Sequence, residues 1–310
     1  MKKLFVGVVG FSFCLYLIFC SVEFFLRAIP NDYNLKQTQL HQHRKDVQVL
    51  ILGSSHTYVG INPELLTEKA YNLAYSSQTL DIDDQLLSQT IDQFPQLKKV
   101  ILSLSYFSYP LVLEDGNSAN KIKNYNLYWG IYSHTYQLKN HFELLHQPWK
   151  FNKPRLKNFF LNPTKELHLN RYGFNAKRAP LKKQTLENSA RHAVANHTLD
   201  MDKTNVQILI QENINHLEHL VELCEARNIN VYFISAPTTR AYYERLNSIQ
   251  LSHWRQTTLQ LLKKYPSIKW MNRLDDANGY DLNDFQDADH LNLKGAEKFS
   301  REVNEFLLEK

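Results

Sequence analysis

The stretch Val47-Gln-Val-Leu-Ile-Leu52-Gly-Ser-Ser55-His56 sets the reading of the whole chain. Apart from Gln48, Val47 to Leu52 is a continuous apolar run, which suits a strand covered on both faces in a parallel sheet. The run stops at Gly53 and leaves Ser55 on a strand-to-loop turn, at the strand end where ligands gather in open α/β sheets. Pro63 opens a helical stretch, being well placed in a first turn, before a short strand near Ala70 to Leu73. A helix from about Asp81 to Gln93 then precedes a strand over Val100–Leu104. Late in the chain the pattern returns. A helix from about Val206 to Arg227 leads to a strand over Asn230–Ser235, and a helix around Ser252 to Lys264 leads to a strand over Ile268–Met271. A closing helix begins at Leu293. Strands alternating with helices at this spacing predict a parallel, three-layer α/β sheet.

Near the end stands Asp287-Ala-Asp-His290-Leu-Asn292. A serine hydroxyl is a poor nucleophile until a base takes its proton, and that base needs a partner to fix its tautomer and stabilise its cation. His290 suits the base and Asp287 the partner. Three residues apart on a helical turn, their Cβ atoms come within roughly 5–6 Å, whereas the adjacent Asp289 is expected to point elsewhere. Asn292 reads as the N-cap of the last helix, whose Leu293, Ala296, Phe299, Val303, Phe306 and Leu307 keep a helical spacing. With Ser55 as nucleophile, the three residues form a catalytic constellation for acyl chemistry.

Between Tyr106 and about Thr204 the alternation is lost. The stretch is dense in Tyr, Phe, Trp, Asn, Lys and His, as in Asn124-Tyr-Asn-Leu-Tyr-Trp-Gly130 and Asn170-Arg-Tyr-Gly-Phe174. So long a segment exceeds a connecting loop, and it is expected to be an insertion, at about 107–204, with helices of its own packed over the active face. Aromatics with amides suit sugar rings; they equally suit a small core under a cap.

The N-terminus bears on the compartment. Lys2 and Lys3 precede an uncharged stretch from Leu4 to Val22, and Phe24, Phe25 and Leu26 follow Glu23. About 20 apolar residues are needed to cross a bilayer, whereas a cleaved signal has a shorter apolar region of roughly 7–15. Residues 4–26 are therefore expected to act as an uncleaved membrane anchor, within a segment 1–28. Leu17-Ile-Phe-Cys20 has some look of a lipoprotein signal, but the bulky Phe19 argues against lipidation. Positive-inside bias keeps the Lys pair cytoplasmic, so the remainder would face the periplasm or cell exterior from a bacterial cytoplasmic membrane, in single-pass topology. Polar residues 29–46 read as a stalk, and residues 47–310 as the working domain.

The chain has 310 residues, 43% hydrophobic, enough for one large domain or a core domain with an insertion. A formal net charge of +5 with scattered basic residues speaks against nucleic-acid binding. Cys14 and Cys20 lie in the apolar segment and only Cys224 remains, so neither a disulfide framework nor a Cys-based metal site is expected. His216 and His219 lack the His-Glu-x-x-His spacing and read as a solvated helical face; no metal or cofactor is expected. Glu64, Asp83 and Asp84 sit in early helical turns, where carboxylates favour the helix dipole.

Ile51-Leu-Gly-Ser-Ser55-His and Asp287-Ala-Asp-His290-Leu-Asn together resemble the first and last sequence blocks of the SGNH hydrolases, also called GDSL-like esterases. The resemblance spans about residues 47–110 and 205–308. It implies a flavodoxin-like strand order, Ser55 as nucleophile with Ser54 in place of the family's Asp, and a triad completed by Asp287 and His290. Among its branches the chain is most similar to membrane-anchored proteins related to the teichoic-acid D-alanylation protein and the alginate O-acetylation proteins. The family's oxyanion donors are the nucleophile's amide, a Gly in a second block and an Asn in a third. Here Asn72-Leu-Ala-Tyr-Ser-Ser-Gln-Thr79 puts Ser77 at the Gly position, and Ser103-Leu-Ser-Tyr106 puts Ser105 at the Asn position. Loss of one such donor costs about a hundred- to a thousand-fold in rate, which weighs against efficient hydrolysis more than slow acyl transfer. His56 and the strand-end Arg240 are expected on the substrate side.

Three functions stay open. The first is an envelope O-acyltransferase or esterase taking an acylated glycan or acyl donor, with a multispanning membrane O-acyltransferase as partner. The second is a secreted acylhydrolase. The third is a noncatalytic glycan-binding partner of a membrane O-acyltransferase.

Overall fold

The computed structural model describes residues 1–161, 168–175, 185–276 and 278–309. In chain order its helices and strands are α1 (Lys2–Ala28), α2 (Asp32–His43), β1 (Val49–Leu52), α3 (Ser55–Gly60), β2 (Ala70–Asn72), α4 (Leu80–Thr90) and β3 (Lys99–Ser103). Then come α5 (Ile122–Trp129), α6 (Glu143–His146), α7 (Trp149–Leu161), α8 (Leu186–His197), α9 (Thr204–Glu225) and β4 (Asn230–Ser235). The chain closes with α10 (Arg240–Tyr243), α11 (Ser248–Lys264), β5 (Lys269–Asn272) and α12 (Leu293–Leu308). Two compact units result: a helical unit of Met1–Gln37 with Asn120–Leu167, and a sheet unit of Thr38–Ala119 with His168–Lys310.

The sheet unit carries five parallel strands in the order β2-β1-β3-β4-β5. This is the flavodoxin-like order expected. Strand β1 lies inside the sheet between β2 and β3 and is wholly buried, which explains its unbroken apolar run. Burying each such side chain stabilises by about 1.5–3 kcal/mol. Its residues alternate in direction: Val49 and Ile51, with Ile101 and Ile234, pack against Phe299, Val303 and Leu307 of α12. On the other side α4 and α9 pack together, giving the third layer. Asn292 caps α12 by accepting from the Gly295 amide at 3.1 Å. Gly295 is required by close approach, since a Cβ there would lie 2.1 Å from the Asp284 carbonyl oxygen.

Several local expectations are corrected. The stretch at Pro63 is a single tight turn, Pro63–Leu65, while the longer helix starts at Ser55 itself. Residues read as a stalk are largely α2, with Tyr33 and Leu40 buried seven residues apart on one helical face. Asn31 starts that helix by accepting from the amides of Tyr33 and Asn34 at 3.0 and 3.1 Å. His216 and His219 of α9 do not simply face water. Both bind Asp84 of α4, at 2.8 and 2.6 Å, and so tie the two helices together. The neighbouring Asp83 is buried and turned inward.

In the helical unit, α1 is long and apolar enough to cross a membrane. Only its C-terminal end is packed. Glu23 is buried and accepts from the amides of Glu143 and Leu144, each at 2.9 Å, capping α6; Arg27 bonds Glu23 and the carbonyl of His141. Glu143 in turn receives Lys123 at 2.6 Å and Arg155 at 3.1 Å. Of the described residues of the aromatic-rich stretch, 120–161 belong to this unit, while 107–119, 168–175 and 185–204 belong to the sheet unit. Positions 162–167 and 176–184 of the expected insertion lie outside the described residues.

Candidate active site

Strand β1 delivers Gly53 into a backbone conformation with φ +114°, open in practice only to glycine. A Cβ there would also strike Ser103 Cβ at 2.3 Å. The Gly53 amide donates to Asp83 at 2.9 Å, and its carbonyl accepts from the Tyr75 amide at 3.2 Å. Thr57 Oγ1 donates back to the Leu52 carbonyl at 3.0 Å, closing the turn. Ser55 becomes the first residue of α3, so its amide has no partner within the helix.

The second half of the site comes from the loop before α12. A bridge between Phe285 and Leu291 closes it, and Ala288 is pinned by Thr239, whose amide and hydroxyl donate to the Ala288 carbonyl at 2.9 and 2.7 Å. Asp287 and His290 therefore sit in a tight loop rather than on a helical turn. Asp287 Oδ1 accepts from the amides of Asp289 and His290, at 3.2 and 2.8 Å, which aims the carboxylate back at the imidazole. His290 Nδ1 lies 2.9 Å from Asp287 Oδ1, and its Nε2 lies 2.8 Å from Ser55 Oγ. These are the distances and the order of a nucleophile, its base and an orienting carboxylate.

Asp289 does not point elsewhere. It is buried, with one oxygen 3.4 Å from His290 Nδ1 and the other 3.4 Å from His56 Nε2. With His56 Nε2–H directed at Asp289, its Nδ1 accepts from Ser105 Oγ at 2.8 Å. A chain of contacts thus runs from the buried Ser105, His56 and Asp289 to the half-buried His290 and Ser55. Burial works against a charged His290, yet the carboxylates of Asp289 and Asp287 outweigh it and push the group up to about 10. Burial likewise opposes charge on Asp289, while His290 and His56 hold it well below the usual carboxylate range. His56, Asp289 and His290 have donor atoms close enough to hold a metal ion, but these atoms are already one another's hydrogen-bond and charge partners.

A cavity of about 160 Å³ opens beside Ser55. Ser77, Phe107, Val112, Asn117, Asn196 and His197 are among its walls, the last two from α8. That helix lies within the segment expected as an insertion, and its Ser189 also accepts from the Ala288 amide at 3.1 Å. Ser77 has φ +66°, the left-handed region that a glycine enters without cost, and its hydroxyl bonds Ser118 at 3.0 Å. His197 lies against Phe107 with the rings tilted by 31° and centroids 4.1 Å apart, and bonds Tyr242 at 2.9 Å; burial, chiefly, pulls it down to about 4.

The remaining expected residues fall elsewhere. Ser105 and His56 are buried beside Asp289 and His290 instead of lining the cavity, because each hydroxyl or ring nitrogen is taken up in the chain to Asp289. Arg240 stands on the surface, paired with Glu244 at 2.5 Å, and borders a different cavity along with Thr239 and Tyr243. Sequence reasoning did not single out His197 or Phe107, and it read Asp83 only as a carboxylate at a helix start. Asp83 is the most instructive: burial pushes its carboxyl up to about 8, and it accepts from Gln78 at 2.5 Å as well as from Gly53.

No protein-family model and no curated protein matches the chain. Solved structures with a similar arrangement include a protein described as a platelet activating factor from Streptococcus pneumoniae, at 13% identity and TM-score 0.42, covering 93% of this chain and 98% of that one. A protein described as an acylhydrolase from Bacteroides fragilis is 9% identical with TM-score 0.42, covering 88% and 95%. A GDSL-like lipase from Bacteroides thetaiotaomicron is 11% identical with TM-score 0.41, covering 90% and 100%.

Proposed function

We propose that this chain is a membrane-anchored, SGNH-type serine O-acyltransferase or esterase that handles acyl groups of cell-envelope polysaccharide outside the cytoplasm. The observation that carries the reading is the contact of Ser55 Oγ with His290 Nε2 at 2.8 Å, with Asp287 on the far nitrogen at 2.9 Å. Ser55 Oγ attacks the acyl carbonyl carbon as His290 Nε2 takes its proton. The tetrahedral oxyanion forms beside the Ser55 amide and the Ser77 segment. Collapse breaks the ester bond, and His290 returns the proton to the departing alkoxide. A glycan hydroxyl, or water, then attacks the acyl-serine, giving its proton to His290; expulsion of Ser55 Oγ, reprotonated by His290, yields the new ester or the free acid.

The cavity supports a short acyl group. Its volume of about 160 Å³ falls below the roughly 300–1,000 Å³ of drug-sized sites. The apolar stretch of α1 supports the anchored placement. The test is fluorophosphonate labelling of the full chain, with Ser55→Ala and His290→Ala as controls, followed by release of acetate from an acetylated glycan with and without an acceptor glycan. Serine-specific labelling with acyl transfer supports the reading. A wild-type chain that stays unlabelled at neutral and alkaline pH would instead favour a noncatalytic glycan-binding role.

A further inference from the structure

We infer that the helical unit carries its own lipid-binding face, and that the outward arc of α7 lies in the headgroup layer of a bilayer containing anionic phospholipid. The inference rests on the anchored reading of α1 and adds to it a second, lateral membrane contact. At about 1.5 Å per residue the uncharged run from Leu4 to Val22 is roughly 28 Å long, close to the ~30 Å hydrocarbon thickness of a bilayer. Phe25 follows within one turn, so it marks the edge of the hydrocarbon. Phe25 is in edge-to-face contact with Phe160 of α7, centroids 5.0 Å apart, and Phe19 makes the same kind of contact with Phe142 at 5.3 Å. The C-terminal end of α7 is thereby fixed at the depth where α1 leaves the membrane.

The orientation of α7 is fixed too. Asn152 is buried and donates to the carbonyls of Leu144 and Gln147, while Arg155 reaches Asn152 and Glu143. With that side held down, Trp149, Phe160 and Leu161 are more than half exposed, and Lys150, Lys153 and Lys157 are exposed among them. Water offers nothing to such large apolar groups. The headgroup layer does, since aromatic rings favour that depth and lysines beside them reach lipid phosphates. Each basic residue at an anionic surface adds attraction.

The test uses the full chain reconstituted into protein-free vesicles of phosphatidylcholine with phosphatidylglycerol, with bromine on the acyl chains near the headgroup. Tryptophan emission should be quenched, and the quenched component should be lost in Trp149→Phe, leaving that of Trp129, Trp254 and Trp270. Quenching should weaken in the Lys150→Gln/Lys153→Gln/Lys157→Gln variant when phosphatidylglycerol is present, and match wild type in phosphatidylcholine alone. Alkaline carbonate washing and intact mass report separately on α1. A chain that resists carbonate with Met1 retained, yet shows the emission of Trp149→Phe, overturns the lipid-facing arc while leaving the anchor standing. A chain washed off by carbonate overturns the anchor, and the arc with it. If Trp149 is unquenched in vesicles but shielded in native membranes, the face belongs to a membrane protein and the inference fails.

Discussion

Asp289 brings a carboxylate oxygen to 3.4 Å from His290 Nδ1, the same nitrogen that Asp287 reaches at 2.9 Å. The imidazole therefore sits between two carboxylates of different character. Asp287 is partly open to solvent and accepts backbone amides; Asp289 is buried and shared with His56. A conventional triad has one orienting carboxylate, so the second alters what removal of the first should do.

Loss of the orienting carboxylate in a triad lowers turnover by roughly 10⁴-fold, mainly through the wrong tautomer. Asp287→Asn should fall well short of that, because Asp289 can accept the Nδ1 proton. The pair Asp287→Asn/Asp289→Asn should reach it. Measured kcat values for both singles and the double set the coupling; strict additivity would speak against a shared role.

His290 is raised to about 10, so at neutral pH the base is largely protonated. The labelling rate at Ser55 should therefore climb about tenfold per pH unit from pH 7 to 9, and Asp289→Asn should move that limb down by roughly 1–3 units. Stability runs the other way. A histidine raised on folding contributes fully below its ordinary value of about 6.5 and loses that contribution as pH rises toward 10. Asp289, lowered on folding, contributes above about pH 3.9 and is lost in acid. Urea midpoints from pH 3 to 10 check both signs.

Gly53→Ala places a methyl group 2.3 Å from Ser103 Cβ at a backbone angle of +114°. Strain of this kind costs about 1–3 kcal/mol before repacking is added. Chemical unfolding should show at least that loss, together with a displaced Ser55. An alanine variant of wild-type stability and labelling would remove the turn's special geometry from the account.

Asp83 is raised to about 8 by burial, so at pH 7 it is mostly neutral and accepts from Gly53 and Gln78. Between its ordinary value near 3.9 and about 8 the folded chain holds a proton that the unfolded chain gives up, which lowers stability as pH rises. Asp83→Asn lacks that cost. Its stability relative to wild type should improve steadily from pH 4 to pH 8 and then level off, as read from unfolding curves at each pH.

The parallel sheet was legible because β1, β3 and β4 have stretches buried on both faces, Val49–Leu52, Val100–Leu102 and Val231–Ile234, which are written in Val, Leu, Ile, Tyr and Phe. The Asp287–His290 spacing and the Asn292 cap were legible because both are local. What stayed hidden is set by distance along the chain. Asp289 is 233 residues from His56, and His216 is 132 from Asp84, so no spacing rule joins them. Asp83 reads as a helix-start carboxylate in sequence; its inward turn depends on which face of α4 meets the sheet.

The bond from the Glu143 amide to Glu23 spans 120 residues. Synthesis at roughly 5–20 residues per second puts about 6–24 seconds between the appearance of the two ends. During that interval the last turn of α1 holds a carboxylate with its α6 partners still unmade, beside an apolar segment already able to enter a bilayer. On the proposed membrane-anchored reading, biogenesis is thus ordered: α1 is placed first, and the later helices arrive to close over it. A delay in translation between residues 28 and 143 would prolong the exposure of Glu23, making this span the place where synthesis rate and correct assembly are coupled.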